Sequence, residues 1–171
     1  MSVEPPSHII AAHFNPGTRV TLYPVHAIIL ATYCANIPVL PVSKPPTPAT
    51  AGESVTIPVV TLRMPNPAMF PTLVAYLYTK RSETLLKELL PAESTCAKPE
   101  LIRAHATSMT VEALMNCARK VWGLWTNAST LCVCDDKLFR SLEMAWEVLL
   151  EALAMKSGKP LESRLDLKDV E

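Results

Sequence analysis

Proline constrains this chain more than any other residue type. There are 16 prolines against 4 glycines in 171 residues, and each proline fixes φ and removes a backbone donor. The densest stretch, residues 38–54, holds Pro38, Pro41, Pro45, Pro46 and Pro48 and little that a core could use. No helix can run through it, so it is expected as an extended surface loop. The scarcity of glycine argues against a glycine-rich phosphate loop and against flexible hinges. The ratio favours short rigid connections and extended loops between the remaining segments.

Those segments are periodic. Ile10, Ala12 and Phe14 recur at period two over residues 8–14, as in a half-buried strand. Asn15, Pro16, Gly17 and Thr18 supply a turn, and Val20 and Leu22 continue in phase over residues 19–23, which predicts a hairpin. Pro24 suits the first turn of a helix, along which Val25, Ile28, Ile29 and Thr32 share a face up to Ile37 and Pro38. Beyond the loop, the β-branched run from Val55 to Thr61 predicts a strand that Pro58 limits to a sheet edge or breaks. The turn Met64 to Pro67 feeds a second helix with Phe70, Leu73, Val74 and Leu77 on one face. Ser82 caps a short helix reaching Leu90. Residues 91–109 are the least patterned and read as a linker loop.

Thr110 opens a longer helix carrying Val111, Leu114, Met115, Ala118, Val121, Trp122 and Trp125, with Gly123 and Asn127 weakening its second half. Asp135 and Asp136 cap a strongly amphipathic helix whose seam is Leu138, Leu142, Ala145, Leu149 and Ala152. After Met155 the residues are mostly charged. The layout is thus a lead-in over 1–7, one domain over 8–155 containing the proline-rich loop 38–54, and a charged tail over 156–171. The fold class is α+β, a small sheet of about three strands with five or six helices.

Charge and composition narrow the function. Sixteen basic and 16 acidic residues cancel, so the basic footprint of a nucleic-acid binder is missing and direct nucleic-acid binding is not expected. No apolar run approaches the ~20 residues of a membrane span, and residues 1–6 lack the pattern of a secretory signal. Five cysteines without such a signal read as reduced thiols. The expected location is the nucleus and/or the cytoplasm, with no membrane contact.

The order of elements resembles the BTB/POZ core, and two segments carry the likeness. Residues 25–31, with His26 and Leu30, resemble the segment that opens that family's first helix. Residues 70–79, from Phe70 to Tyr78 and Thr79, resemble its segment that opens on Phe and closes on Tyr-Thr. A closer likeness spans about residues 17–155. Residues 19–26, 75–81, 123–127 and 145–150 are similar to the clampless proteins of mushroom-forming fungi. That resemblance implies a regulator of sexual development, where clamp cells and the dikaryon form, working through protein partners such as transcription regulators and not through catalysis. Ordinary BTB domains exchange an N-terminal element in a homodimer. Residues 1–7 hold no counterpart, so that swapped homodimer is not expected, and a monomer or a different interface stays open. A BTB-type adaptor for a cullin ubiquitin ligase is the alternative within the same class, although no residues match cullin binding specifically.

Single residues add little chemistry to this reading. His26 has apolar or proline neighbours in sequence and reads as a structural histidine at a helix start. His8, His13 and His105 fall on predicted edges and linkers and form no set. Cys132 and Cys134 lack the second close pair that structural zinc needs, and Cys34 and Cys117 read as core thiols. A Cys/His hydrolase is the alternative of another class, with no residue arrangement that favours it. No metal or cofactor site is expected. Trp122, Trp125 and Trp146 read most simply as core anchors, with Trp125 beside Asn127 as the candidate partner-binding hot spot. Lys44 with Pro45, Pro46 and Pro48 is the candidate ligand for an SH3 or WW domain, against a plain loop. The glycosylation-like triplet at Asn127 carries no weight in an intracellular chain.

Overall fold

The computed structural model describes residues 5–15, 20–43, 54–91 and 97–158. It is α+β, with a three-stranded mixed sheet, six α-helices and one 3-10 turn among those residues. Strands β1 (His8–His13) and β2 (Thr21–Val25) are antiparallel, with Ile10 opposite Tyr23 and Ala12 opposite Thr21. Helix α1 (Ala27–Tyr33) follows. Strand β3 (Val59–Arg63) then returns parallel to β1, giving the order β2-β1-β3.

Both prolines near the strands are explained by this order. Pro24 does not start a helix, as its sequence position predicts; it lies in β2 opposite Ile9. An edge strand leaves one side of its ladder unpaired, so a missing N–H is tolerated there. Helix α1 is instead started by Ser7, whose hydroxyl accepts the Ala27 amide at 2.8 Å. Pro58 acts as its sequence position predicts: β3 begins one residue later at the sheet edge, and the Pro58 carbonyl accepts the Ile9 amide at 2.9 Å. Ile10 and Ala12 are buried as the period-two pattern requires, but Phe14, beyond the strand end, is half exposed.

A 3-10 turn (Pro67–Met69) leads into α2 (Phe70–Thr79), which buries Phe70, Leu73, Tyr76 and Leu77. Helix α3 (Ser82–Leu89) comes next, then α4 (Lys98–Ser108). Helix α4 overturns the linker loop expected there. Its only large buried apolar side chain is Leu101, and the rest of its inner face is His105 and Ala106, so hydrophobic periodicity gives no signal. Helix α5 (Val111–Thr130) is capped by Thr110, whose hydroxyl accepts the Ala113 amide at 3.1 Å. Helix α6 (Asp136–Ser157) is capped by Asp135, which accepts the Leu138 amide at 3.0 Å.

Within the span expected as one domain, the backbone forms two compact units. The sheet unit comprises residues 1–82 and 123–139, and the helical unit residues 83–122 and 140–171. The sheet unit has a core of Ile10, Leu30, Met64, Phe70, Leu73, Leu77 and Leu124. In the helical unit the core is Leu85, Leu89, Leu101, Leu114, Val121, Leu142 and Leu149. Lys98 on α4 pairs with Glu147 and Glu151 on α6 at 2.7 and 3.3 Å, and Lys156 on α6 donates to the Ala106 carbonyl at 2.9 Å. These ion pairs are exposed and worth little individually.

Candidate functional site

Residues 25–31 and 70–79 meet in the sheet unit. The Tyr78 hydroxyl accepts the His26 amide at 2.7 Å and lies 2.7 Å from His26 Nδ1. The amide spends its one hydrogen on the oxygen, so the hydroxyl hydrogen is free to go to the ring. The rings stand edge to face at 5.7 Å. This joins the start of α1 to the end of α2. Phe70 is fully buried and edge to face with Tyr23, whose hydroxyl reaches the Pro67 carbonyl. His26, Phe70 and Tyr78 thus make contacts that hold elements together.

A second cluster lies at the end of α2. Lys80 has left-handed φ of 55°, which closes the helix and turns its side chain back. Its Nζ lies 3.1 Å from the centroid of the Tyr33 ring and 2.8 Å from an Asp135 carboxylate oxygen, combining cation–π attraction with a charge-assisted hydrogen bond. The other Asp135 oxygen accepts the Leu138 amide and the Tyr76 hydroxyl. Burial pushes the Asp135 carboxyl up. The bonds from Lys80 and Leu138, the Lys80 charge and the Tyr76 hydroxyl outweigh it, so the group sits below the ordinary carboxylate range. Burial and the Asp135 charge push Tyr76 up to about 12.

The thiols divide by the pleat of a short bridge. Cys34 pairs with Val133, while Tyr33 and Ala35 bond to Cys134 and Cys132. Cys34 and Val133 are buried; Cys132 and Cys134 are exposed. Burial raises the Cys34 thiol to about 11, with Lys80 pulling down and Cys134 pushing up. Such a thiol is a poor nucleophile. His105, expected in a linker, is fully buried in α4, where Nδ1 donates to the Leu101 carbonyl at 2.7 Å. His8, at the start of β1, is buried; its Nε2 meets the Pro41 carbonyl at 2.8 Å and pins the start of the proline-rich segment. Among the described residues no three His, Cys, Asp or Glu side chains gather where a metal ion could be held. A pocket of about 320 Å³ is lined by Phe14, Arg63, Met64, Pro65 and Thr130, without a thiol or imidazole.

Of the partner-binding candidates, Lys44, Pro45, Pro46 and Pro48 lie outside the described residues. Asn127 cannot meet a partner, because it is fully buried. Its Oδ1 accepts the Asn66 amide at 2.9 Å and its Nδ2 donates to the Asn66 carbonyl at 2.6 Å. One turn earlier, Gly123 makes room for the same residue: a Cβ there would fall 2.8 Å from Asn66 Cγ. The two residues that weaken the helix in sequence are those that clamp the Met64–Pro67 turn. Trp125 is half-buried, edge to face with Phe139 at 5.7 Å.

The exposed tryptophan is Trp122, which sequence periodicity places in the core. It is 59% exposed and its ring centroid lies 6.1 Å from that of half-buried Trp146. On the same side of α5 lie exposed Val111 and Met115 and half-buried Ala118. A wheel at 100° per residue separates this stripe from Leu114, Cys117 and Val121, which are buried. That separation is legible in the sequence once the two stripes are not merged into one.

Fold and surface together define a small α+β chain that presents an apolar helical stripe, with no described helix long and apolar enough to cross a membrane. A family model for the Clampless protein 1 C-terminal domain matches residues 83–169, and one for the Clampless protein 1 N-terminal domain matches residues 2–65. The chain belongs to the clampless protein family. That membership is consistent with a role in fungal clamp formation. Neither the curated proteins nor the solved structures contain a significant match.

Proposed function

We propose that the chain is a non-catalytic protein-interaction module that regulates fungal sexual development, at the stage of clamp-cell and dikaryon formation, through partners that control transcription. The observation that carries the interaction reading is Trp122, a large aromatic 59% exposed beside Trp146. Tryptophan is the residue type most enriched in binding hot spots. Family membership supports the developmental setting. Action in the nucleus and/or cytoplasm belongs to the same proposal.

A BTB/POZ-like identity for the sheet unit is also part of it. It is supported by the order of elements, by the parallel return of β3 beside β1, and by the His26–Tyr78 contact. Proximity labelling in mating cells tests the whole reading. Wild type should label transcription regulators, and Trp122→Ala should lose them while keeping its melting temperature. Labelling of a cullin would favour the adaptor reading. An unchanged labelled set in the variant would remove Trp122 from the function.

A further inference from the structure

We infer that the exposed face of α5 is the interface of a homodimer in which two copies pack α5 against α5 in antiparallel orientation. This rests on reading the Trp122 surface as an interaction surface and names a second copy of the chain as its occupant.

The spacing is the first reason. Val111, Met115, Ala118 and Trp122 are 4, 3 and 4 residues apart, the a/d rhythm of a coiled-coil seam. They span about 16 Å of helix, and three of the four are exposed. The same helix buries Leu114, Cys117 and Val121 at 0, 7 and 1% exposure. Helix α5 therefore carries one seam for its own core and a second, adjacent seam that is largely exposed, with Trp146 of α6 beside Trp122 at its end.

Size and charge select the orientation. In an antiparallel pair, Val111 faces Trp122 of the other copy and Met115 faces Ala118, so each layer sets a larger side chain against a smaller one. A parallel pair would stack Trp122 on Trp122 and leave a gap at Ala118. Glu112 and Arg119 lie on one flank of the seam, seven residues and about 10 Å apart, too far to pair within one helix. Neither makes an ion pair among the described residues, and Arg119 holds only Asn116 Oδ1 at 2.7 Å. Residues on one flank face each other in antiparallel packing. Glu112 then meets Arg119 of the other copy, and Arg119 meets its Glu112, a self-complementary pattern across a twofold axis. The opposite flank positions, Leu114 and Val121, are already in the core. The formal net charge of zero removes long-range repulsion between copies.

The test uses the full 171-residue chain. Sedimentation equilibrium up to ~100 µM should show a monomer–dimer equilibrium, since a short seam buries less than a standard interface. Trp122→Glu should abolish the dimer with an unchanged circular-dichroism spectrum. Glu112→Arg and Arg119→Glu should each weaken it about tenfold. An equimolar mixture of these two variants should restore association as a heterodimer, because the antiparallel flank then pairs opposite charges at both ends. A chain that stays monomeric over this range overturns the inference, as does a dimer indifferent to Trp122→Glu or a mixture that does not recover. Should the wild type be monomeric while Trp122→Ala still loses its labelled partners in cells, the surface belongs to a different protein: the homodimer falls and the interaction module stands.

Discussion

In the sheet unit, the C-terminal part of α5 buries Asn127 in a pair of hydrogen bonds; in the helical unit, the N-terminal part of the same helix leaves Val111, Met115 and Trp122 exposed. Asn127, Asp135, Lys80 and Tyr76 make hydrogen bonds at or below the surface. Val111, Met115 and Trp122 are about half exposed, beside a core that buries Leu114 and Val121. Removing a buried polar partner leaves other groups unpaired, whereas trimming an exposed apolar side chain removes little burial. The same helix, α5, supplies both environments. Burial and exposure are thus separated along one element, with Asn127 on the first side and Trp122 on the second.

The contrast predicts a ranked set of effects. Asn127→Leu should be the most damaging, about 2–4 kcal/mol, because the half-buried Asn66 amide loses its partner and the Asn66 carbonyl keeps only the Met69 amide. Thermal unfolding should show it as a drop of roughly 10 °C. Gly123→Ala should follow in the same direction, since its Cβ would press on Asn66. If Trp122→Ala lowered the melting temperature as much as Asn127→Leu, the contrast would be broken.

Asp135→Ala should cost about 2–3 kcal/mol, removing the α6 cap and leaving Lys80 without its carboxylate. The pH dependence sharpens this. The Asp135 carboxyl is held low in the folded state, so its stabilisation is present above the ordinary carboxyl pKa and lost as pH falls through the folded value. Acid titration of stability should flatten in Asp135→Asn. An unchanged acid slope would mean that Asp135 is not tied to Lys80 in solution.

Between the tryptophans, Trp125→Ala should cost about 2 kcal/mol and Trp122→Ala less than ~1 kcal/mol, following their burial. Chemical denaturation of the two variants side by side decides it. The smallest effect concerns reactivity and not stability. Alkylation at neutral pH should modify exposed Cys132 and Cys134 well before buried Cys34, whose thiol is raised to about 11. Cys34 and Tyr76 both titrate above their ordinary values. Their stabilisation is therefore full below about pH 9 and fades as pH rises through 11 to 12.

Much of the scaffold was legible in order. The hairpin follows from Ile10 and Ala12 at period two, the edge strand from Pro58, the caps from Thr110 and Asp135, and α6 from a seam of five apolar residues. These are local signals, set by backbone sterics and by the period of each element. Helix α4 was not legible, because its buried face is one leucine, a histidine and an alanine. Pro24 was misplaced because the rule for a helix start and the rule for an edge strand both admit proline, and only the pairing with Ile9 chooses.

The candidate site divides in the same way. Sequence by itself determined that a helix begins near His26, that Phe70–Tyr78 is helical, and that α5 is rich in large apolar residues. It could not say which tryptophan faces water. On a helix with two adjacent apolar stripes, only the position of the neighbouring elements decides which stripe is core, and the fold buried Leu114 and Val121 and left Trp122 outside. Likewise, nothing local marks Gly123 and Asn127 as anything but helix-weakening residues. Their value appears only when the Asn66 turn, sixty residues away in sequence, packs against them, because a clamp needs both of its halves in place before either has a physical meaning.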